Sequence, residues 1–189
     1  MTDAGAPAEA ERLLREAGAL LDGHFQLTSG QHSPQYVEKF RLLERPPQTE
    51  ALCRMIAAWA RRLHPQVVAG PTTGGIIVAY EVGRLLGTRA IFAESAGARR
   101  EFRRGFTLSP GEPVLVVDDV LTTGGSIRDV LAAVRAADAL PVGVAVLVDR
   151  SAGRAEFGLP FFACLALALP AYDPSSCPLC AHHVPLTIT

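Results

Sequence analysis

The run Pro113-Val114-Leu115-Val116-Val117 restricts the fold more than any other stretch of the chain. Five successive residues without a polar side chain do not suit a strand with one wet face. They suit a strand buried on both faces of a parallel sheet, with helices covering each side. The rest of the chain supplies matching pieces. Val67-Val68-Ala69, Arg89 to Ala93, Val142 to Val148 and Phe161 to Leu169 read as further strands, and Gln48 to Leu63, Ile76 to Leu86 and Ser126 to Ala137 as helices among them. A helix from Glu9 to Leu21 comes first, with Asp22-Gly23 as its stop, and the prolines at Arg45-Pro46-Pro47 and from Pro170 to Pro178 mark turns. Strand, turn, helix and strand in succession predict an α/β fold with a doubly wound, mostly parallel sheet. Ligands in such sheets collect beyond the carboxyl ends of the strands, which directs attention to the loops after residues 69, 93, 117 and 148.

A chain of 189 residues that is 49% apolar suffices for one core, so residues 1–189 are read as a single domain. The formal charge is −1 with both signs interspersed, which argues against nucleic acid or an anionic membrane as partner. The N-terminus is acidic and helix-like without an apolar signal core, and no stretch reaches the ~18 uninterrupted apolar residues of a membrane span; a cytoplasmic location is expected. Cys53 and Cys164 lie in apolar runs, where a thiol behaves as a small hydrophobe. Cys177 and Cys180 are spaced like a site and, with His182 and His183, offer zinc ligand types. A single Cys-x-x-Cys with one residue before the histidines instead favours a reduced structural tail. His24 and His32 either face a substrate or lie solvated in turns.

The chemistry concentrates after the apolar run, in Asp118-Asp119-Val120-Leu121-Thr122-Thr123-Gly124-Gly125-Ser126. Two threonines, two glycines and a serine at a helix start expose hydroxyls and backbone N–H groups in a concave turn aimed along the helix dipole, a cradle for a phosphate monoester. The adjacent carboxylates would repel that phosphate, so they belong to a neighbouring subsite, accepting hydrogen bonds from ribose hydroxyls or orienting metal-bound water. A sugar phosphate satisfies both halves. Alone, Thr-Thr-Gly-Gly is an ordinary turn; the strand, paired acids and helix start around it give it meaning.

This stretch resembles the phosphoribosyl pyrophosphate signature of type I phosphoribosyltransferases. The resemblance implies that Asp118 and Asp119 meet the ribose hydroxyls, that Thr122 to Ser126 hold the 5′-phosphate, and that Thr73, Gly74 and Gly75 touch pyrophosphate and its Mg²⁺, the implied cofactor. The segment Gly23-His24-Phe25-Gln26-Leu27-Thr28-Ser29-Gly30-Gln31-His32-Ser33-Pro34 is similar to the N-terminal hood of orotate phosphoribosyltransferases, and Leu147-Val148-Asp149-Arg150 to an Asp-Arg pair of that family. The hood is then formed by about residues 20–45, with residues 170–189 as a C-terminal tail. Orotate bears a carboxylate that a guanidinium can bind bidentately, which suits Arg150, with Thr122 beside it. The implied activity moves the phosphoribosyl group onto orotate, giving orotidine 5′-monophosphate and pyrophosphate in pyrimidine biosynthesis.

Where better-studied members carry lysines in the hood, the pyrophosphate turn and a mobile loop, this chain has Thr28, Gly74 and Ser95; its one lysine is Lys39. The segment from Glu94 to Phe106, with four arginines in six residues, is the expected lid. In the family it reaches across a homodimer to the leaving group, so Arg100 and Arg103 are candidate catalytic residues in shared active sites. The alternatives are a phosphoribosyltransferase for a purine base, or a non-catalytic regulator that senses phosphoribosyl pyrophosphate.

Overall fold

A computed structural model describes residues 5–27, 29–97 and 99–189; Thr28, expected in the hood, lies outside them. Ala6–Glu16 forms helix α1. It ends earlier than expected because Gly18 adopts a left-handed φ of 66°. The Gly18 amide donates to the Arg15 carbonyl and the Ala19 amide to that of Leu14, a Schellman closure that releases the chain into a strand. Leu20–Gln26 is β1, and Asp22-Gly23, expected to stop the helix, instead lies where the antiparallel register of β1 with β2 (His32–Val37) shifts. Lys39–Leu43 is the short helix α2 and Pro46–Ala60 is α3. Pro46 and Pro47, expected in a turn, open α3, where the missing N–H groups have no intrahelical partner to lose.

The central layer then unfolds in order: β3 (Val67–Pro71), α4 (Gly74–Leu86), β4 (Arg89–Ala96), β5 (Arg99–Phe102), β6 (Pro113–Leu121), α5 (Gly125–Ala136), β7 (Leu140–Asp149) and β8 (Phe161–Ala166). The six strands lie in the order β5-β4-β3-β6-β7-β8, all parallel except the β4–β5 pair. Side chains alternate through the sheet. Val68, Leu115, Val117, Ala145 and Leu147 pack into one apolar layer with α1, α3 and α4. Val67, Ala69, Val114, Val116, Val144 and Val146 pack into the other with α5. The apolar run thus has both faces covered, as expected, and truncating Leu115, which is fully buried, is expected to cost ~2–5 kcal/mol.

Two differences bear on the site. β6 does not stop at Val117: β7 runs beside it until Leu121 faces Asp149, so both acids lie within the strand. The expected hood and tail also form one structure. After a short helix α6 (Pro178–Ala181), β9 (Thr187–Ile188) pairs in parallel with β1, giving a three-stranded sheet β2-β1-β9, and Tyr172 bridges to His32. Leu20, Val37, Leu42 and Leu43 join this part to the core of the larger sheet.

Candidate active site

The strand order reverses between β3 and β6, since β4 and β5 lie to one side of that pair and β7 and β8 to the other. The turns leaving β3 and β6 therefore flank the crevice at the topological switch point, where open α/β sheets place ligands. The turn after β6 wraps a hollow of ≈ 50 Å³ lined by Thr122, Thr123, Gly124, Gly125 and Ser126 together with Asp118, Val120, Leu121 and Ile127. Gly124, at a φ of 82°, precedes α5, whose first turn receives no side-chain cap. Its amide donors remain free for an anion, and Thr122 and Thr123 are exposed beside them.

Next to this hollow lies a cleft of ≈ 420 Å³ lined from four directions. The hood contributes Tyr36, Glu38 and Lys39, the turn after β3 contributes Thr72, Thr73 and Gly74, β6 contributes Asp118 and Asp119, and the end of β7 contributes Arg150. Asp118 and Asp119 are both buried. Asp118 accepts a hydrogen bond from the Asp119 amide at 2.8 Å, and Asp119 one from the Val120 amide at 2.6 Å. Burial, and then the neighbouring charge of Asp119, push the Asp118 carboxyl up to about 7. Lys39 donates to Asp119 Oδ1 at 3.2 Å; its Nζ is also 2.9 Å from Oδ2, but out of line, and Oδ2 accepts no hydrogen bond among the described residues. The start of α4 packs so tightly on these acids that a Cβ at Gly74 would overlap Asp119 Oδ2, and one at Gly75 would sit 2.6 Å from Pro71 Cδ. Only glycine fits at Gly74 without displacing the Asp119 carboxylate, and at Gly75 without displacing the Pro71 ring.

Arg150 is held by its backbone: its amide donates to the Leu121 carbonyl at 2.8 Å, and Asp149 accepts from the Ser151 amide at 2.7 Å. The Arg150 Nε is buried with no partner among the described residues. An unpaired buried guanidinium nitrogen costs free energy, and a carboxylate brought into the cleft would relieve it.

The arginine-rich segment differs from the expectation of an open anion clamp. It is a β-hairpin in which β5 pairs with β4, and its charges are largely spent locally. Arg99 and Arg103 pair with Glu101, and Arg104 with Glu94. Arg100 reaches inward, donating to Thr72 Oγ1 at 3.0 Å and so to the turn after β3. Neither Arg100 nor Arg103 lines the cleft itself.

The tail also departs from expectation. Cys177 and Cys180 do not converge with His182 and His183, which are exposed, but with His24 and His32. The histidines of β1 and β2 are buried against the tail and face neither substrate nor solvent. Sequence reasoning also missed Tyr36 and Lys39. The one lysine of the chain was the available signal for Lys39; for Tyr36 the sequence offered none.

The model of the phosphoribosyl transferase domain matches residues 42–165. The chain is 50% identical over 175 residues to the orotate phosphoribosyltransferase of Heliobacterium modesticaldum, covering 92% of each. Among solved structures, it superposes on orotate phosphoribosyltransferase from Aeropyrum pernix with a TM-score of 0.72 at 26% identity, covering 82% of this chain and 92% of that one. The Mycobacterium tuberculosis H37Rv orotate phosphoribosyltransferase in complex with inorganic phosphate gives a TM-score of 0.69 at 29% identity, covering 86% and 96%. A signature turn at the switch point, a hood over it and matches that run through both place this chain in the orotate phosphoribosyltransferase family.

Proposed function

We propose that the chain transfers the 5-phosphoribosyl group from phosphoribosyl pyrophosphate to orotate, giving orotidine 5′-monophosphate and pyrophosphate. One observation carries this reading: a single cleft leads from an uncapped helix start, past two buried carboxylates, to a buried arginine nitrogen that has no partner among the described residues. The amides of Gly124, Gly125 and Ser126 and the hydroxyls of Thr122 and Thr123 hold the 5′-phosphate. Asp118 and Asp119 accept from the ribose hydroxyls and favour the positive charge that develops on the ribose as the leaving group departs. The turn of Thr73, Gly74 and Gly75 receives pyrophosphate, with Arg100 at its rim. Arg150 and Thr122 orient orotate so that its ring nitrogen faces the anomeric carbon, and no covalent nucleophile is required.

The donor set also suits Mg²⁺. A hard cation takes oxygen ligands from one or two carboxylates together with substrate phosphates, and Asp119 Oδ2 is a buried carboxylate oxygen with no hydrogen bond. Asp118 and Asp119 would hold the ion, largely through water and pyrophosphate. When bound, it supplies positive charge to the departing pyrophosphate.

We read residues 1–189 as one functional unit that works as a homodimer with shared sites. Four unpaired cysteines fit a reducing, cytoplasmic compartment. No helix among the described residues is long and apolar enough to cross a membrane. The test is a steady-state assay of orotate consumption with phosphoribosyl pyrophosphate and Mg²⁺, with adenine and hypoxanthine run in parallel. Turnover of orotate alone is the expected result; turnover of a purine in its place, or of no base at all, would overturn the assignment.

A further inference from the structure

At the end of the hood farthest in sequence from the signature, four side chains meet that the proposed reaction does not use. His24 comes from β1, His32 from the start of β2, and Cys177 and Cys180 from the tail around α6. His24, His32 and Cys177 are buried and Cys180 is partly exposed, and their four ligand-type atoms all lie within 4.8 Å of one another. The nearest separations are 2.9 Å from His24 Nε2 to His32 Nδ1, 3.3 Å from Cys180 Sγ to His32 Nδ1, and 3.6 and 3.8 Å from Cys177 Sγ and Cys180 Sγ to His24 Nε2. A tetrahedral zinc ion, ~2.3 Å from sulfur and ~2.0 Å from nitrogen, holds its ligands ~3.3–3.8 Å apart, so this packing needs only small adjustments.

Hydrogen bonding alone does not account for the cluster. His24 Nδ1 lies 2.8 Å from the Val184 carbonyl, which can only accept, so Nδ1 carries the hydrogen and Nε2 presents a lone pair. Three groups crowd that lone pair, and it can accept from one of them. A cation at the centre would receive electrons from all four ligands, while the contact to Val184 fixes the tautomer and aims the ring, as the outer partner of a metal-bound histidine does.

We propose that His24, His32, Cys177 and Cys180 form a closed, structural zinc site that fastens the C-terminal tail to the hood. With four protein ligands no position remains for substrate or water, which separates it from a catalytic zinc site. Among the described residues, the site lies beside the strand pairing of the tail with β1, Phe25 with Thr187 and Gln26 with Ile188. Two residue pairs and the single Tyr172–His32 bridge are a short seam for a tail of this length. The metal therefore orders β1 and β2, and β2 leads into the Tyr36 and Lys39 that line the cleft.

The experiment uses the full-length protein purified without chelator. Elemental analysis should find about one zinc per chain. Co²⁺ loaded in its place should give thiolate-to-cobalt charge-transfer absorption together with the intense visible bands of a tetrahedral site. Cys177→Ser with Cys180→Ser should abolish both signals, whereas His182→Ala with His183→Ala should retain them. Removal of the metal from the wild type by a strong chelator should lower the melting temperature by several degrees, and zinc should restore it. Folded wild-type protein that takes up no zinc from a stoichiometric supply, a cobalt spectrum without thiolate bands, or loss of metal in the His182/His183 variant would each overturn the proposed ligand set.

Discussion

Arg150 follows the last residue of β7 with a guanidinium nitrogen buried and unpaired among the described residues, an arrangement that costs stability unless a ligand completes it. Desolvation also lowers its pKa from the ordinary arginine value, as a charge held away from water requires. Arg150→Ala is expected to raise the KM for orotate on the order of 100-fold, the ~2–3 kcal/mol of a charge-assisted pair, and to change that for phosphoribosyl pyrophosphate far less. Steady-state kinetics with each substrate varied in turn decides the matter, and equal effects on both would remove Arg150 from the orotate subsite. Asp118 gives a prediction in pH. Its carboxyl is pushed up to about 7 by burial and by Asp119, so the fold favours the protonated form. The corresponding stability is fully present below the unfolded value of ~4 and is lost as pH rises through about 7. Asp118→Asn never acquires that buried charge. Urea unfolding should show the variant more stable than wild type by roughly 1–3 kcal/mol near pH 8, the difference closing near pH 4. Activity should fall at the same time, because an amide replaces the ribose acceptor. A stability difference independent of pH would mean that Asp118 titrates as it does in the unfolded chain.

Among the elements, the contact between the start of α4 and the end of β6 shapes the site most. Gly74 leaves the turn after β3 without a cation of its own, and one reaches Asp119 from another direction, through Lys39 at the start of α2. Gly74→Ala would force the Asp119 carboxylate off that partner. The expected outcome is a loss of ~1–3 kcal/mol of stability together with a marked fall in kcat/KM, measured by denaturant unfolding and by the orotate assay. Unchanged values would show that the close approach is incidental. Sequence periodicity located the elements on either side of this contact, because the alternation of Val114 to Val117 between two apolar layers and the leucines and valines of α4 and α5 are local signals. It placed their ends less well. Gly18 stops α1 only through a left-handed turn that the neighbouring leucines conceal, and β6 outlasts its apolar run because β7 supplies partners up to Asp149. The turn proposed to cradle phosphate could be singled out in the sequence because all its groups lie within a few residues. Tyr36 was not, since β2 brings it to the cleft through packing with a segment more than eighty residues away.

Across the molecule, the six-stranded sheet carries the acids and the proposed phosphate turn, and the segment that follows the three-stranded sheet's β2 lines the same cleft. The long-range joins that make this possible had no local signature. His24 and His32 looked like turn histidines until the tail, some 150 residues later, placed Cys177 and Cys180 against them. The β4–β5 hairpin lies at the edge of the sheet, and its described residues do not line the cleft. β5 is the edge strand of the sheet, two strands away from the switch point, and Arg103 is half exposed beside Glu101. Among the described residues its charge is held only by a 3.4 Å contact to Glu101 at the surface, where a second subunit of the proposed dimer would meet it, whereas Arg100 donates to Thr72 of its own chain. In the proposed homodimer with shared sites, this separates two roles. A chain carrying Arg103→Ala, mixed with a chain carrying Asp118→Asn and Asp119→Asn, should regain part of the activity lost by each alone, since mixed dimers contain one site with intact acids and an intact Arg103 from across the interface. The same experiment with Arg100→Ala in place of Arg103→Ala should give no recovery, because Arg100 and the acids are then needed from one chain. Subunit exchange is verified by mass on differently tagged chains. Demonstrated exchange without recovery for Arg103→Ala would sink the shared site, and recovery for Arg100→Ala would mean that its contact with Thr72 is not the one used in catalysis.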